Sequence, residues 1–424
     1  MFDATVARGG MLRSMVEMRI LVDSAEFWPD FSADLRAARS RVYVQAMTFE
    51  GDAAGQGLVE LLSASRCSDR RLVVDDYSRY KVSDRLMYRP WGSRDPALRG
   101  ELDAMLGAVE QLRREGIRVE FTNPMGRLLL RFPARNHKKL AVLDDVCYLG
   151  GINFSDHNFS WHDMMLRVED AELADFLAMD VRATCRGVDQ RVVKRLPGME
   201  IHLLDGSTNE QGYDPVLGLI DEAEHSIFVE SPYVTYPFLD RLVDARRRGG
   251  AVTLVQPRGN NYATAAAYVA RTASRSDLSL RLLPGMIHLK VMLIDDRVMV
   301  MGSSNFDMVS YRAEQEIVAL VTDAAAIREV TRRVLEPDLE ASRPVTTADV
   351  GWGSSLCSLQ LRGIEAWALV AARIPTPGVT VIGNPPVLSG AGATLLPTGT
   401  TRTEVRGANG GSGAATATKG GGAS

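Results

Sequence analysis

Two stretches decide how this chain is read: Asn136-His-Lys-Lys-Leu-Ala-Val-Leu-Asp144 and Ile287-His-Leu-Lys-Val-Met-Leu-Ile-Asp295. Both follow one pattern: His, any residue, Lys, four residues, Asp. Each is followed by a glycine-containing turn and an asparagine at a closely similar distance, in Gly150-Gly-Ile-Asn153 and Gly302-Ser-Ser-Asn305. The chain has six histidines and six lysines among 424 residues. One match would weigh little as a short motif; two matches at corresponding places in a repeat are far harder to reach by accident.

The neighbourhoods of the two stretches repeat as well. Met18 to Asp23 is strand-like, Phe31 to Arg39 is amphipathic, and Arg41 to Phe49 is a β-rich alternating run. In the same order follow Ile201 to Asp205, a helix over Pro215 to Glu224, and a strand over His225 to Tyr233. A helix over Phe238 to Arg248, stopped by Gly249-Gly250, then leads to the strand Val252 to Gln256. Strands alternating with helices at this spacing predict an α/β protein. A repeat this long signals duplication, not a solenoid. We therefore divide the chain into a first half, residues 1–190, a second half, 195–340, and a low-complexity tail, 341–424. The tail is expected to be largely disordered, because its Gly-, Ala-, Thr- and Ser-rich stretch after Pro385 has little apolar surface to set against ordering entropy.

Strand parity gives the motifs a geometry. Residues i and i+2 share a face, so His137 and Lys139 point one way, as do His288 and Lys290. Asp144 and Asp295 complete each catalytic motif but have the opposite parity and sit at strand ends. They read as structural residues that fix the turns Asp144-Asp145 and Asp295-Asp296. Each half then offers one imidazole, one ammonium and one amide, a set suited to a phosphodiester. Lys139 and Lys290 neutralise the non-bridging oxygens, and Asn153 and Asn305 donate to them as charge builds. One histidine attacks phosphorus while the other protonates the departing alcohol. A nucleophilic imidazole needs an acceptor on its other nitrogen. Downstream acids supply candidates: Asp163, after Trp161-His162, and Glu316, preferred by offset over Glu314.

Together with Arg135-Asn-His-Lys-Lys-Leu, Trp161-His-Asp163 and Gly302-Ser-Ser-Asn305-Phe-Asp307, these features resemble the phospholipase D superfamily over residues 18 to 335, most closely its bacterial cardiolipin synthases. The resemblance implies two similar α/β/α sandwich halves with mixed sheets, related by a pseudo-twofold axis, and an active site in the cleft between them. It also implies a covalent phosphohistidine intermediate and neither cofactor nor metal. His137 is then the nucleophile, His288 the acid, and Ser310 a neighbour of the phosphate.

The expected partner is an anionic phospholipid, phosphatidylglycerol, at a membrane surface. In Met125 to Arg135, Leu128 to Leu130 and Phe132 alternate with Arg127, Arg131 and Arg135, a pattern that could dip into a headgroup layer. Arg191, Lys194 and Arg195 read as a solvated linker face, and Arg246 to Arg248 as a cationic helix end. A net charge of -4 argues against nucleic acid, whose binding modules carry a basic excess. Nothing calls for an obligate protein partner. The four cysteines are scattered and read as free thiols of a reducing compartment. With no signal-peptide core and no apolar run of spanning length, the expected location is the cytoplasmic face of the cell membrane, bound peripherally. The reactions weighed are phosphatidyl transfer to an alcohol, giving cardiolipin, against phospholipid hydrolysis or nuclease action.

Overall fold

A computed structural model describes residues 16–87, 93–126, 128–346, 349, 354–374, 380–381 and 393–394. The first half forms a mixed seven-stranded sheet: β1 (Glu17–Val22), β2 (Arg41–Ala46), β3 (Asp69–Asp75), β4 (Arg118–Thr122), β5 (Leu140–Leu143), β6 (Val146–Gly150) and β7 (Met164–Glu169), in the spatial order β1-β7-β6-β5-β2-β3-β4. The second half repeats it with β8 (Met199–Asp205), β9 (Ser226–Glu230), β10 (Ala251–Pro257), β11 (Ser279–Leu283), β12 (Val291–Ile294), β13 (Val298–Gly302) and β14 (Gln315–Val321). Their order, β8-β14-β13-β12-β9-β10-β11, is the same one with seven added to each number. The strands β2-β3-β4 run parallel and connect through helices, whereas β5-β6 is a hairpin. The same holds for β9-β10-β11 and β12-β13.

Three apolar cores hold these layers. Helices Asp23–Ala37, Ala53–Ala64 and Pro96–Arg114 cover one face of the first sheet with Phe31, Leu58 and Leu112. Helices Asp214–Glu222, Phe238–Arg247 and Ala263–Ser276 do the same for the second with Ile220, Leu242 and Val269. The remaining faces meet each other: Leu166, Leu177, Val181, Ile201, Ile317 and Val330 belong to one cluster drawn from both halves. Each such fully buried side chain contributes roughly 1.5–3 kcal/mol, so the halves are joined by a continuous core and not by a linker alone.

Two expectations need correction. Of the expected solvated linker face, only Arg195 is exposed. Val192–Leu196 is a strand along the edge of β8, where Arg191 and Lys194 are buried and the Lys194 ammonium meets Glu172 at 3.0 Å. The segment from 341 onward also carries structure. Arg343–Pro344 adds an edge strand beside β11, and Ser354–Arg373 is a helix packed on Ala263–Ser276 and on Met308–Ala313. Apart from residues 393–394, the Gly-rich part after Pro385 lies outside the described residues. No helix among the described residues is long and apolar enough to cross a membrane.

Candidate active site at the junction of the halves

Each motif enters the site as extended chain just before a strand, β5 or β12, and alternation then sorts its side chains. Lys138 turns away and pairs with Asp180 at 2.6 Å, both fully buried, while His137 and Lys139 turn into the junction. The entry is held by Asp75 at the end of β3, which takes the Arg135 guanidinium at 2.7 Å and the Asn136 amide at 2.6 Å.

Backbone bonds then carry each motif across to the other half. The His137 amide donates to the Gln315 carbonyl at 2.9 Å, and the His288 amide donates to the His162 carbonyl at 2.7 Å. Residues 315 and 162 directly precede the two candidate acids, so the acids are delivered crosswise. His137 Nδ1 lies 2.9 Å from Glu316 Oε1, and His288 Nδ1 lies 2.6 Å from Asp163 Oδ2. Glu314 stands further from His137, at 3.9 Å. The Ser303 hydroxyl donates to Glu316 Oε2 and the Ser310 hydroxyl, at 2.8 Å, to its Oε1. With these donors converging on the carboxylate, the ring bond is an Nδ1–H donation, which leaves His137 Nε2 with a free lone pair.

The counterpart of Ser303 in the first half is Gly151. A Cβ there would lie 2.1 Å from Asp163 Oδ1, so the shorter acid needs the glycine to reach its histidine. Trp161 packs against the His288 ring, with centroids 5.2 Å apart.

Both ammoniums fold back onto the motif backbone: Lys139 donates to the His137 carbonyl at 2.7 Å, and Lys290 donates to the His288 carbonyl. Burial pushes Lys139 down to about 8 and Lys290 down to about 7. Burial and the Lys139 charge push His137 down to about 3, and burial with Lys290, Lys139 and His137 holds His288 well below its usual value. Both rings and both ammoniums are buried, and the crosswise bonds bring the two motifs to one junction. Burial also raises Glu316 to about 7 and Asp163 to about 6. A cluster of cations that lose charge without a ligand is suited to an anion. His137, Glu314 and Glu316 could geometrically surround a metal ion, but Lys139 and Lys290 beside them oppose one.

Both motif asparagines are buried. Asn153 accepts from the Thr48 amide at 3.0 Å and commits one N–H to Asn158 at 3.1 Å. Asn305 is buried, and its Oδ1 has no partner. The motif aspartates point outward to backbone. Asp144 Oδ1 and Oδ2 collect the amides of Arg39, Ser40 and Arg41 at 2.7–2.9 Å, and Asp295 collects those of Glu224, His225 and Ser226 at 2.8–2.9 Å. Both adopt positive φ, 52° and 49°, at the head of their hairpin turns.

Sequence reading missed Asp75, Ser303 and the crosswise pairing. An acid ending a parallel strand was the available signal for Asp75. Arg131 and Arg135, expected to meet lipid, are instead buried, and Arg127 lies outside the described residues.

A family model described as "Cardiolipin synthase, PLD-like domain" matches residues 31–184 and 216–336. Among curated proteins, the chain is 23% identical over 361 residues to "Probable cardiolipin synthase YwiE" of Bacillus subtilis, covering 78% of this chain and 67% of that one. It is 24% identical over 364 residues to a cardiolipin synthase of Staphylococcus aureus, covering 78% and 69%. The chain thus spans about two thirds of those relatives. Among solved structures, phosphatidylserine synthase of Haemophilus influenzae superposes with a TM-score of 0.63 at 15% identity, covering 84% of this chain and 95% of that one. A polyphosphate kinase of Porphyromonas gingivalis reaches 0.55 at 12%, covering 82% and 53%. At these identities the structures attest the fold alone.

Proposed function

The chain belongs to the cardiolipin synthase family of phospholipase D-like proteins, and on that premise we propose that it transfers a phosphatidyl group from one phosphatidylglycerol to the glycerol hydroxyl of a second, releasing glycerol. The observation that carries this reading is the pair of imidazoles, each held through Nδ1 by an acid from the opposite half.

His137 Nε2 attacks phosphorus, the bond from phosphorus to the glycerol oxygen breaks, and His288 gives that oxygen its proton. The anionic phosphodiester between Lys139 and Lys290 offsets the positive charge that keeps His288 deprotonated in the empty site, so the acid form becomes accessible when substrate binds. In the second half-reaction His288 takes the proton of the acceptor hydroxyl. The acceptor oxygen bonds to phosphorus and the P–N bond breaks. Asn153 and Asn305 are the candidate amide donors to the non-bridging oxygens, and Asp144 and Asp295 hold the turns outside the chemistry.

A peripheral position on the cytoplasmic face of the cell membrane is part of the proposal. Leu128 is 79% exposed and Leu130 50%. The Trp367 indole N–H donates to the Leu130 carbonyl at 2.9 Å, and Phe132 stacks on Trp367 at 5.7 Å, which ties this loop to a helix whose Leu359 and Val370 are also exposed. Exposed aliphatic side chains on two linked elements suit the headgroup boundary of a bilayer.

The test is incubation of the pure chain with phosphatidylglycerol vesicles, following cardiolipin and glycerol. Equimolar appearance of both is expected. Phosphatidic acid without cardiolipin would replace transfer by hydrolysis, and DNA cleavage without lipid turnover would overturn the lipid reading.

A further inference from the structure

One charged cluster lies outside the reaction just described. His162 Nδ1 meets Asp23 Oδ1 at 2.7 Å, and His162 Nε2 meets Asp338 Oδ2 at 2.9 Å. Glu230, the last residue of β9, completes the group. Single ligand atoms of His162, Glu230 and Asp338 lie within 4.8 Å of one another. Glu230 is fully buried and receives no N–H or O–H from a donor residue; it faces the Asp338 carboxyl, and burial beside that acid raises it well above the usual carboxylate range. A buried carboxyl with no donor is costly, and three carboxyls around one imidazole leave an excess of negative charge.

The duplicated fold shows that this chemistry is not architectural. Glu230 pairs with Val291 as Gln45 pairs with Leu140, and the cross-half bridge of His162 with Ile287 matches that of Gln315 with Asn136. In the first half the corresponding corner holds the amides Gln45, Asn136 and Gln315 with a single acid, Asp189, bonded to Gln315; Gln45 Nε2 donates to Asn136 Oδ1 at 2.9 Å, and Gln315 stands where His162 does. The same corner of the second half instead holds Glu230, His162 and Asp338.

We propose that His162 Nε2, Glu230 and Asp338 form a structural site for a divalent transition-metal ion, zinc or manganese, that clamps the two halves together. One imidazole with two carboxylates is a donor set those ions accept. Asp23 takes the outer role: accepting the His162 Nδ1–H, it fixes the tautomer that presents Nε2, the usual carboxylate–histidine–metal arrangement. Metal displaces the proton that His162 shares with Asp338, and the open positions are left to water. The ligands come from both halves, His162 from the first and Glu230 and Asp338 from the second. The His162 carbonyl receives the His288 amide, so the ion steadies the backbone behind that imidazole without entering the phosphoryl chemistry. The inference stands apart from the proposed reaction, and its readout is metal content and thermal stability.

The experiment uses the full chain, stripped with chelator and titrated with ZnCl2 or MnCl2, with bound metal measured by mass spectrometry and Tm by calorimetry. One equivalent per chain is expected, with Tm rising with metal concentration, and Co2+ in place of either should give visible bands of a nitrogen–oxygen site. Glu230→Gln, which preserves shape, should abolish stoichiometric binding, and Asp23→Asn should weaken it roughly 10–100-fold. Absence of stoichiometric binding at millimolar metal overturns the proposal, as does binding that Glu230→Gln leaves intact. A Glu230→Gln chain more stable than the metal-saturated wild type also overturns it, since the cluster would then be a protonated acid network.

Discussion

Glu316 reaches His137, and Asp163 reaches His288, only because each acid follows a strand entry bonded to the opposite motif. That arrangement fixes the pH response. Below about 7 Glu316 takes a proton and no longer accepts from the His137 ring. Above about 7 to 8 Lys290 and then Lys139 lose theirs, and the anion loses its countercharge. A plot of kcat/KM against pH should therefore be a narrow bell centred near neutrality, and Glu316→Gln should move its acid limb down toward Asp163, at about 6; a flat profile from pH 5 to 9 would contradict this. Gly151→Ala would press a Cβ onto Asp163, displacing the acid from His288. An activity loss on the order of 100-fold is expected for a shift of about 1 Å, with Tm checked beside turnover. Asp144 behaves differently. Against burial, the Ser40 hydroxyl and the amides of Arg39 to Arg41 hold its carboxyl down to about 2, so its contribution is present above the usual carboxylate range and fades as pH falls toward 2. Asp144→Ala should cost roughly 1–3 kcal/mol by denaturant melts, with kcat nearly unchanged.

At the level of elements, the strands and helices around each motif were legible because period-2 and period-3.6 patterns are strong there. The motif parity was legible too, although His137 and Lys139 stand in extended chain ahead of β5 and not inside a strand. The spacing to Asn153 and Asn305 differs by one residue because the turn after Asp295 is one residue longer than that after Asp144. Helix Ser354–Arg373 was not read from the sequence. It buries Cys357, Leu361, Ala368 and Ala371 while leaving Leu356, Leu359 and Val370 exposed, so three large apolar residues stand on its outward face, an inversion of the usual pattern on that side. That inversion carries a prediction: Leu128→Glu combined with Val370→Glu should weaken sedimentation with phosphatidylglycerol vesicles by tenfold or more, since each inserted aliphatic chain contributes roughly 1.5–3 kcal/mol, and should leave Tm unchanged. Wild-type vesicle binding in that double variant would remove this surface from the account.

For the molecule as a whole, duplication was visible in two motifs, but how the copies face each other was not. The contacts that decide it, Asn136 with Gln315 and His162 with Ile287, join residues far apart in sequence that carry no local signal. Nor could composition show that Glu316 serves the first motif and Asp163 the second. The structure therefore makes one site from two incomplete ones, and the central claim is that neither half works alone. The most direct test compares cardiolipin formation by the wild type, by His137→Ala, by His288→Ala and by an equal mixture of the two variants, all verified as folded. The account predicts that each variant falls by about 1000-fold or more, within the range for a lost catalytic group, and that mixing restores nothing. Half of the wild-type rate in either variant would show two independent sites and contradict it.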